Sequence, residues 1–156
     1  MFKNYYNRKI WMLIGLVVNL SQMIEYNLSN ILALNEILVS FDNSESMYSF
    51  EYAELLKRSE EWYEKLSKQE LGKIINNLKN KSIFNDSFIK LIDEIRNERN
   101  YYVHTIFKND LFTKKIQMEP KRCIVDIKEL VNKMGDLNNV LVKEFDRMKT
   151  EVKMIY

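Results

Sequence analysis

Three glycines and one proline in 156 residues constrain this chain more than any other feature of its sequence. A sheet protein needs a turn every few residues, and turns draw on residues that tolerate positive φ or hold φ near −65°. A chain so poor in both is expected to be all-α, with long helices joined by few loops. Apolar residues at 46% and charged residues at 29% place it among ordered globular chains. Its length suits one domain, spanning 1–156, with a core of its own.

The apolar register supports this. Ile10, Ile14, Val17, Ile24, Leu28 and Ile31 recur at steps that fit one helical face, which predicts a long helix over about 6–40. Residues 42–46 read as a loop. Tyr52, Leu55, Leu56, Trp62 and Leu66 mark the inner face of a second helix. Ser67-Lys68-Gln69-Glu70 has the form of a capping box opening a short helix with Leu71, Ile74, Ile75 and Leu78. Residues 80–85 read as a turn, and Asn85-Asp86-Ser87 supply cap candidates for a helix through Phe88, Leu91, Ile92, Ile95, Tyr102, Val103 and Ile106. Residues 109–120 read as irregular. Ile127, Leu130, Met134, Leu137, Leu141, Phe145 and Met148 predict a last helix over about 121–149. The expected architecture is an antiparallel bundle of about five helices.

A formal charge of +2 excludes a duplex-coating protein, whose affinity would come from many neutralised phosphates, but leaves room for a local basic site. The single cysteine, Cys123, cannot form an intramolecular disulfide and points to a reducing compartment, the cytoplasm. Lys3, Arg8 and Lys9 precede an apolar run over 10–18, as in a signal peptide. Asn19, Ser21, Gln22 and Glu25 end that run too early for a membrane span, so it reads as a buried first helix.

Most catalytic inventories are empty: the sequence has no Gly-rich phosphate loop, no nucleophile elbow and no Cys/His cluster. Asp93, Glu94 and Glu98 are numerous enough for magnesium, yet carboxylates at this spacing read more simply as a solvated helix face. No metal and no cofactor are expected. What remains is one dense segment, Arg96-Asn97-Glu98-Arg99-Asn100-Tyr101-Tyr102-Val103-His104, which holds two of the six arginines and the only histidine.

The spacing Arg99-x4-His104, with Asn100 directly after the arginine, resembles the HEPN superfamily of small helical ribonucleases found in toxin–antitoxin, abortive-infection and CRISPR-associated systems. The resemblance implies a HEPN-like fold and a metal-independent endoribonuclease acting on RNA. It also implies a two-fold homodimer, an antitoxin or inhibitor protein as partner, and products with a 2′,3′-cyclic phosphate and a 5′-hydroxyl. Arg99 and His104 would be the catalytic pair, with Asn100, Arg96 and Lys108 contacting the substrate. Family members paired with a nucleotidyltransferase antitoxin often carry a tyrosine two residues after the histidine. Here that position is Ile106, which argues against neutralisation by that route.

The residue types suit the reaction. Attack of a 2′-hydroxyl on the adjacent phosphorus needs a group that exchanges protons near neutrality and a cation for the charge growing on the phosphoryl oxygens. Histidine has the first property, and arginine grips two phosphate oxygens at once. Geometry complicates the pairing, because five residues at about 100° each set Arg99 and His104 roughly 140° apart on an ideal α-helix. Either the helix distorts near Glu98, or the groove forms where two copies meet. Two bland readings stand beside these: a catalytically silent HEPN-like module, and a helical interaction protein in which His104 is structural and Arg99 snorkels from the apolar seam. Tyr101 and Tyr102 read as packing residues rather than base-stacking platforms.

Overall fold

The computed structural model describes residues 2–42, 52–67, 70–105 and 110–154. Every regular element among them is helical: α1 (Phe2–Asp42), α2 (Tyr52–Ser67), α3 (Leu71–Lys81), α4 (Asp86–Asn100), a π turn (Tyr101–Thr105), α5 (Asp110–Met118) and α6 (Pro120–Met154). The all-α class expected from the lack of turn residues is therefore the class observed. The first and last helices run further than expected, to 41 and 35 residues.

Three local expectations need correction. Residues 110–118 form α5 rather than an irregular stretch. Pro120, which reads as the end of a loop, sits at the first position of α6, where its fixed φ suits a helix and its missing N–H would have had no partner. The capping box does not form, because Ser67 is still helical in α2; Glu70 is the N-cap of α3 and makes no side-chain cap. The Glu70 carbonyl instead accepts from the backbone N–H groups of Lys73 and Ile74 at 2.9 and 3.2 Å. The loop expected over 42–46 falls mostly outside the described residues, as do the side chains of Tyr52, Leu55 and Leu56.

The ends of α3 and α4 follow known cap chemistry. Ser82 terminates α3 in the left-handed region, at φ 53° and ψ 32°. The Asn85 side-chain oxygen accepts the Phe88 N–H at 2.8 Å and the Ser87 hydroxyl at 3.0 Å, which makes Asn85 the cap of α4. Phe84 packs its ring on Phe88 just outside the cap.

The chain groups into two compact units, one from residues 1–24 and 90–138, the other from 25–89 and 139–156. In the first, Ile10 and Val17 of α1, Ile92 of α4 and Ile127 and Leu130 of α6 are all buried to within 1%. In the second, Leu28 and Ile31 of α1, Ile74, Ile75 and Leu78 of α3 and Leu141 of α6 are equally closed off. Tyr26 there meets Tyr63 and Phe145 edge-on, at centroid distances of 5.6 and 6.4 Å. Each fully buried aliphatic side chain contributes about 1.5–3 kcal/mol, so these seams hold the helices in place.

Candidate functional site

Those candidate residues that are described lie in the first unit, at the C-terminal end of α4 and in the π turn that follows. Ile92 and Ile95 set the buried side of α4, at 1% and 4% exposure. Arg99 continues the same seam one turn later, half-buried where another isoleucine would be expected. Its guanidinium is held by polar partners. Nε–H donates to Ser21 Oγ of α1 at 2.6 Å, and one terminal nitrogen donates to Asn100 Oδ1 at 2.7 Å. Ser21 is itself buried, with 4% exposure.

Between Arg99 and His104 the helix changes character. Tyr101–Thr105 forms one turn of π-helix, in which hydrogen bonds run from residue i to i+5. The wider turn holds about one more residue, so residues five apart come toward a common face and the 140° offset of an ideal α-helix narrows. The helix thus distorts, as in the first of the two geometric alternatives, but over Tyr101–Thr105 rather than at Glu98, which is still in regular α-helix. His104 is exposed on this turn.

Tyr102 anchors the turn. It is buried to 8% exposure, while its neighbour Tyr101 stands 40% exposed with the two rings edge-to-face at 5.1 Å. Burial, and then the Asp126 carboxylate of α6, push the Tyr102 phenol above its ordinary range. Cys123, also buried on α6, has its thiol raised, again chiefly by burial. Lys115 of α5 pairs with Asp126 at 3.8 Å, and Glu98 of α4 pairs with Lys133 of α6 at 3.1 Å.

The remaining candidates divide. Asn100 sits beside Arg99 as an acceptor for it. Arg96 is turned into its own helix, paired with Asp93 at 2.9 Å and reaching the Asn97 oxygen at 3.4 Å; its Nε is buried with no hydrogen-bond partner. Lys108 and Ile106 lie outside the described residues. The carboxylates considered for magnesium are not gathered: Asp93 faces Arg96, Glu98 faces Lys133, and Glu94 is exposed.

Ser21 is the residue that the sequence reading passed over. The buried register of α1 runs 10, 14, 17, 21, 24, 28, 31, and position 21 is the one step without an apolar side chain. A small hydroxyl at a core position was the available signal. A cavity of about 240 Å³ in the second unit, between Trp62, Leu66 and Leu32, contains none of the candidates. Lys81 there pairs with Glu36, and Lys65 lies over the Trp62 ring.

Among the described residues no helix is long and apolar enough to cross a membrane. Comparison with family models, with curated proteins and with solved structures finds no match to this chain.

Proposed function

We propose that the chain is a metal-independent endoribonuclease of HEPN type, a cytoplasmic toxin or phage-defence effector. The observation that carries the proposal is the π turn between Arg99 and His104, next to a guanidinium held by Ser21 and Asn100. A pre-oriented arginine at the end of α4 and an exposed imidazole on the π turn that follows suit cleavage of a phosphodiester without a metal. In the reaction the RNA 2′-oxygen bonds to phosphorus as its proton passes to His104. The bond from phosphorus to the 5′-oxygen then breaks, that oxygen takes a proton from water, and His104 returns its own proton to solvent. Arg99 offsets the charge on the non-bridging oxygens. Asn100 orients Arg99 through its Oδ1 and, with Arg96 and Lys108, contacts the substrate, Arg96 by exchanging Asp93 for a phosphate.

Because the turn narrows the offset within one chain, a composite cleft between two copies is not required for the pairing. A homodimer and an inhibitory protein partner belong to the proposal through the family resemblance, as does the defence role. A second reading, a silent binding module, is favoured by the hydrogen bonds that tie Arg99 into the chain. Incubation of the purified protein with total RNA in EDTA separates the two. The ribonuclease reading expects fragments with 2′,3′-cyclic phosphate and 5′-hydroxyl ends. Intact RNA, or cleavage only with added magnesium, overturns it.

A further inference from the structure

In the second unit, helices α1, α2 and α3 border a cavity of about 240 Å³ that the proposed reaction does not use. Steps of three and four residues bring its lining onto one face of each helix: Leu32 and Glu36 on α1, and Trp62, Lys65 and Leu66 on α2. Lys81, the last residue of α3, completes the wall. Leu32 and Leu66 are 2% and 5% exposed and make an apolar floor, and Trp62 beside them is half-buried. Protein interiors leave few voids larger than a water molecule. This cavity has the volume of roughly eight waters in the liquid, although Ile74, Ile75 and Leu78 of the same α3 are closed off to 0–1%.

The charges of the lining are unequal. Lys81 pairs with Glu36. The Lys65 ammonium instead lies 4.8 Å from the centre of the Trp62 ring, and among the described residues no carboxylate pairs with it. Two ammonium groups against one carboxylate leave one positive charge over, which a monoanion balances. A phosphate monoester, with a charge of about −1.5 to −2, would leave negative charge in a partly desolvated site. The indole offers a flat apolar face, on which a second ring stacks with an offset.

We propose that this cavity is a binding site for a small aromatic carboxylate, a single ring bearing one carboxyl group. The ring lies against the Trp62 indole, over Leu32 and Leu66. The Lys65 ammonium leaves the indole face and donates to the carboxylate, exchanging a cation–π contact for a stronger charge-assisted hydrogen bond. Lys81 stays with Glu36 and keeps that carboxylate from repelling the ligand. The volume sets the size, since drug-sized ligands occupy pockets of about 300 Å³ and more. The inference does not rest on the ribonuclease reading, because neither Arg99, Ser21 nor His104 lines the cavity.

Ligand-observed NMR titrations of the full chain with benzoate, benzamide, cyclohexanecarboxylate and phenyl phosphate test the proposal. Benzoate is expected to bind with a Kd below about 1 mM, within reach of so small a ligand. Benzamide, which lacks the charge, should bind about tenfold or more weaker. Cyclohexanecarboxylate, which lacks the flat ring, should bind about two- to tenfold weaker, and phenyl phosphate no more tightly than benzoate. Trp62→Leu should erase the preference over cyclohexanecarboxylate, and Lys65→Gln the preference over benzamide. In a Trp11→Phe chain Trp62 is the one tryptophan left, and saturating benzoate should change its fluorescence. Absence of saturable binding overturns the proposal, as does unchanged Trp62 fluorescence at saturation, which puts the ligand elsewhere. Benzamide or cyclohexanecarboxylate binding as tightly as benzoate, or phenyl phosphate binding more tightly, overturns the ligand class. If a variant loses the helical circular dichroism spectrum, the four ligands on the wild type and the Trp62 fluorescence decide.

Discussion

Ser21 accepts the Arg99 Nε–H at 2.6 Å across 78 residues of sequence, and the serine is buried at a position that α1 otherwise gives to apolar side chains. Two helices are thereby joined by one charge-assisted hydrogen bond inside an aliphatic seam. The bond fixes the plane of a guanidinium that would otherwise snorkel along that seam.

Ser21→Ala is expected to destabilise the fold by about 1–3 kcal/mol, because it leaves a half-buried charged donor without its acceptor. Ser21→Thr, which keeps the hydroxyl, should lose less. In an Arg99→Ala background the serine change should cost markedly less than alone, a coupling of about 0.5 kcal/mol or more. Urea melts of the four proteins of this cycle measure it, and additive costs would show that the two side chains act independently. If the chain cleaves RNA, Ser21→Ala should also lower kcat more than it alters KM.

His104→Ala and Arg99→Ala should each remove most cleavage, by about 10²- to 10⁴-fold for the proton-transfer group. His104 is exposed, so its alanine variant should melt like wild type. Arg99→Lys should also fail, since a point charge does not reproduce a bidentate grip. Single-turnover assays in EDTA on a short RNA read these losses. A His104→Ala protein that cuts as well as wild type would remove the imidazole from the mechanism.

Tyr102 gives the fold an alkaline limit. Its phenol is raised above the ordinary tyrosine value of 10.0 in the folded chain, so its contribution to stability is complete below pH 10 and is lost as pH climbs from there toward the folded value. Cys123, raised from 9.0, acts in the same direction. Tyr102→Phe should flatten the fall in melting temperature above pH 10. Absorbance at 295 nm should show one tyrosine of the wild type ionising only as the chain unfolds.

Two loop positions should move stability in opposite directions. Asn85→Ala removes the cap of α4 and should cost about 1 kcal/mol. Ser82→Gly relieves a left-handed backbone at a residue with a Cβ and should add about 0.5–1 kcal/mol. Thermal melts of both variants check the signs.

Much of the helical layout was legible in the residues themselves. The lack of glycine and proline, and the three- and four-residue steps of Ile10 to Ile31 and of Ile127 to Met148, are local properties, and the helix class and its inner faces follow from them. The Asn85 cap was legible for the same reason. The box at Ser67 misled because a cap motif works only where the chain leaves helical geometry, which α2 does not do at that residue.

The sequence by itself determined that this chain is helical, which faces of its longest helices are buried, and that one segment gathers an arginine, an asparagine and the only histidine. Only the tertiary structure decided what that segment does in space. The π turn that narrows the angle between Arg99 and His104 has no periodic signature, because one extra residue in a turn leaves the apolar pattern around it unchanged. The choice of Ser21 as partner for Arg99 rests on the packing of α1 against α4. A contact between residues 78 apart is set by how two helix faces meet, which no window of neighbouring residues encodes.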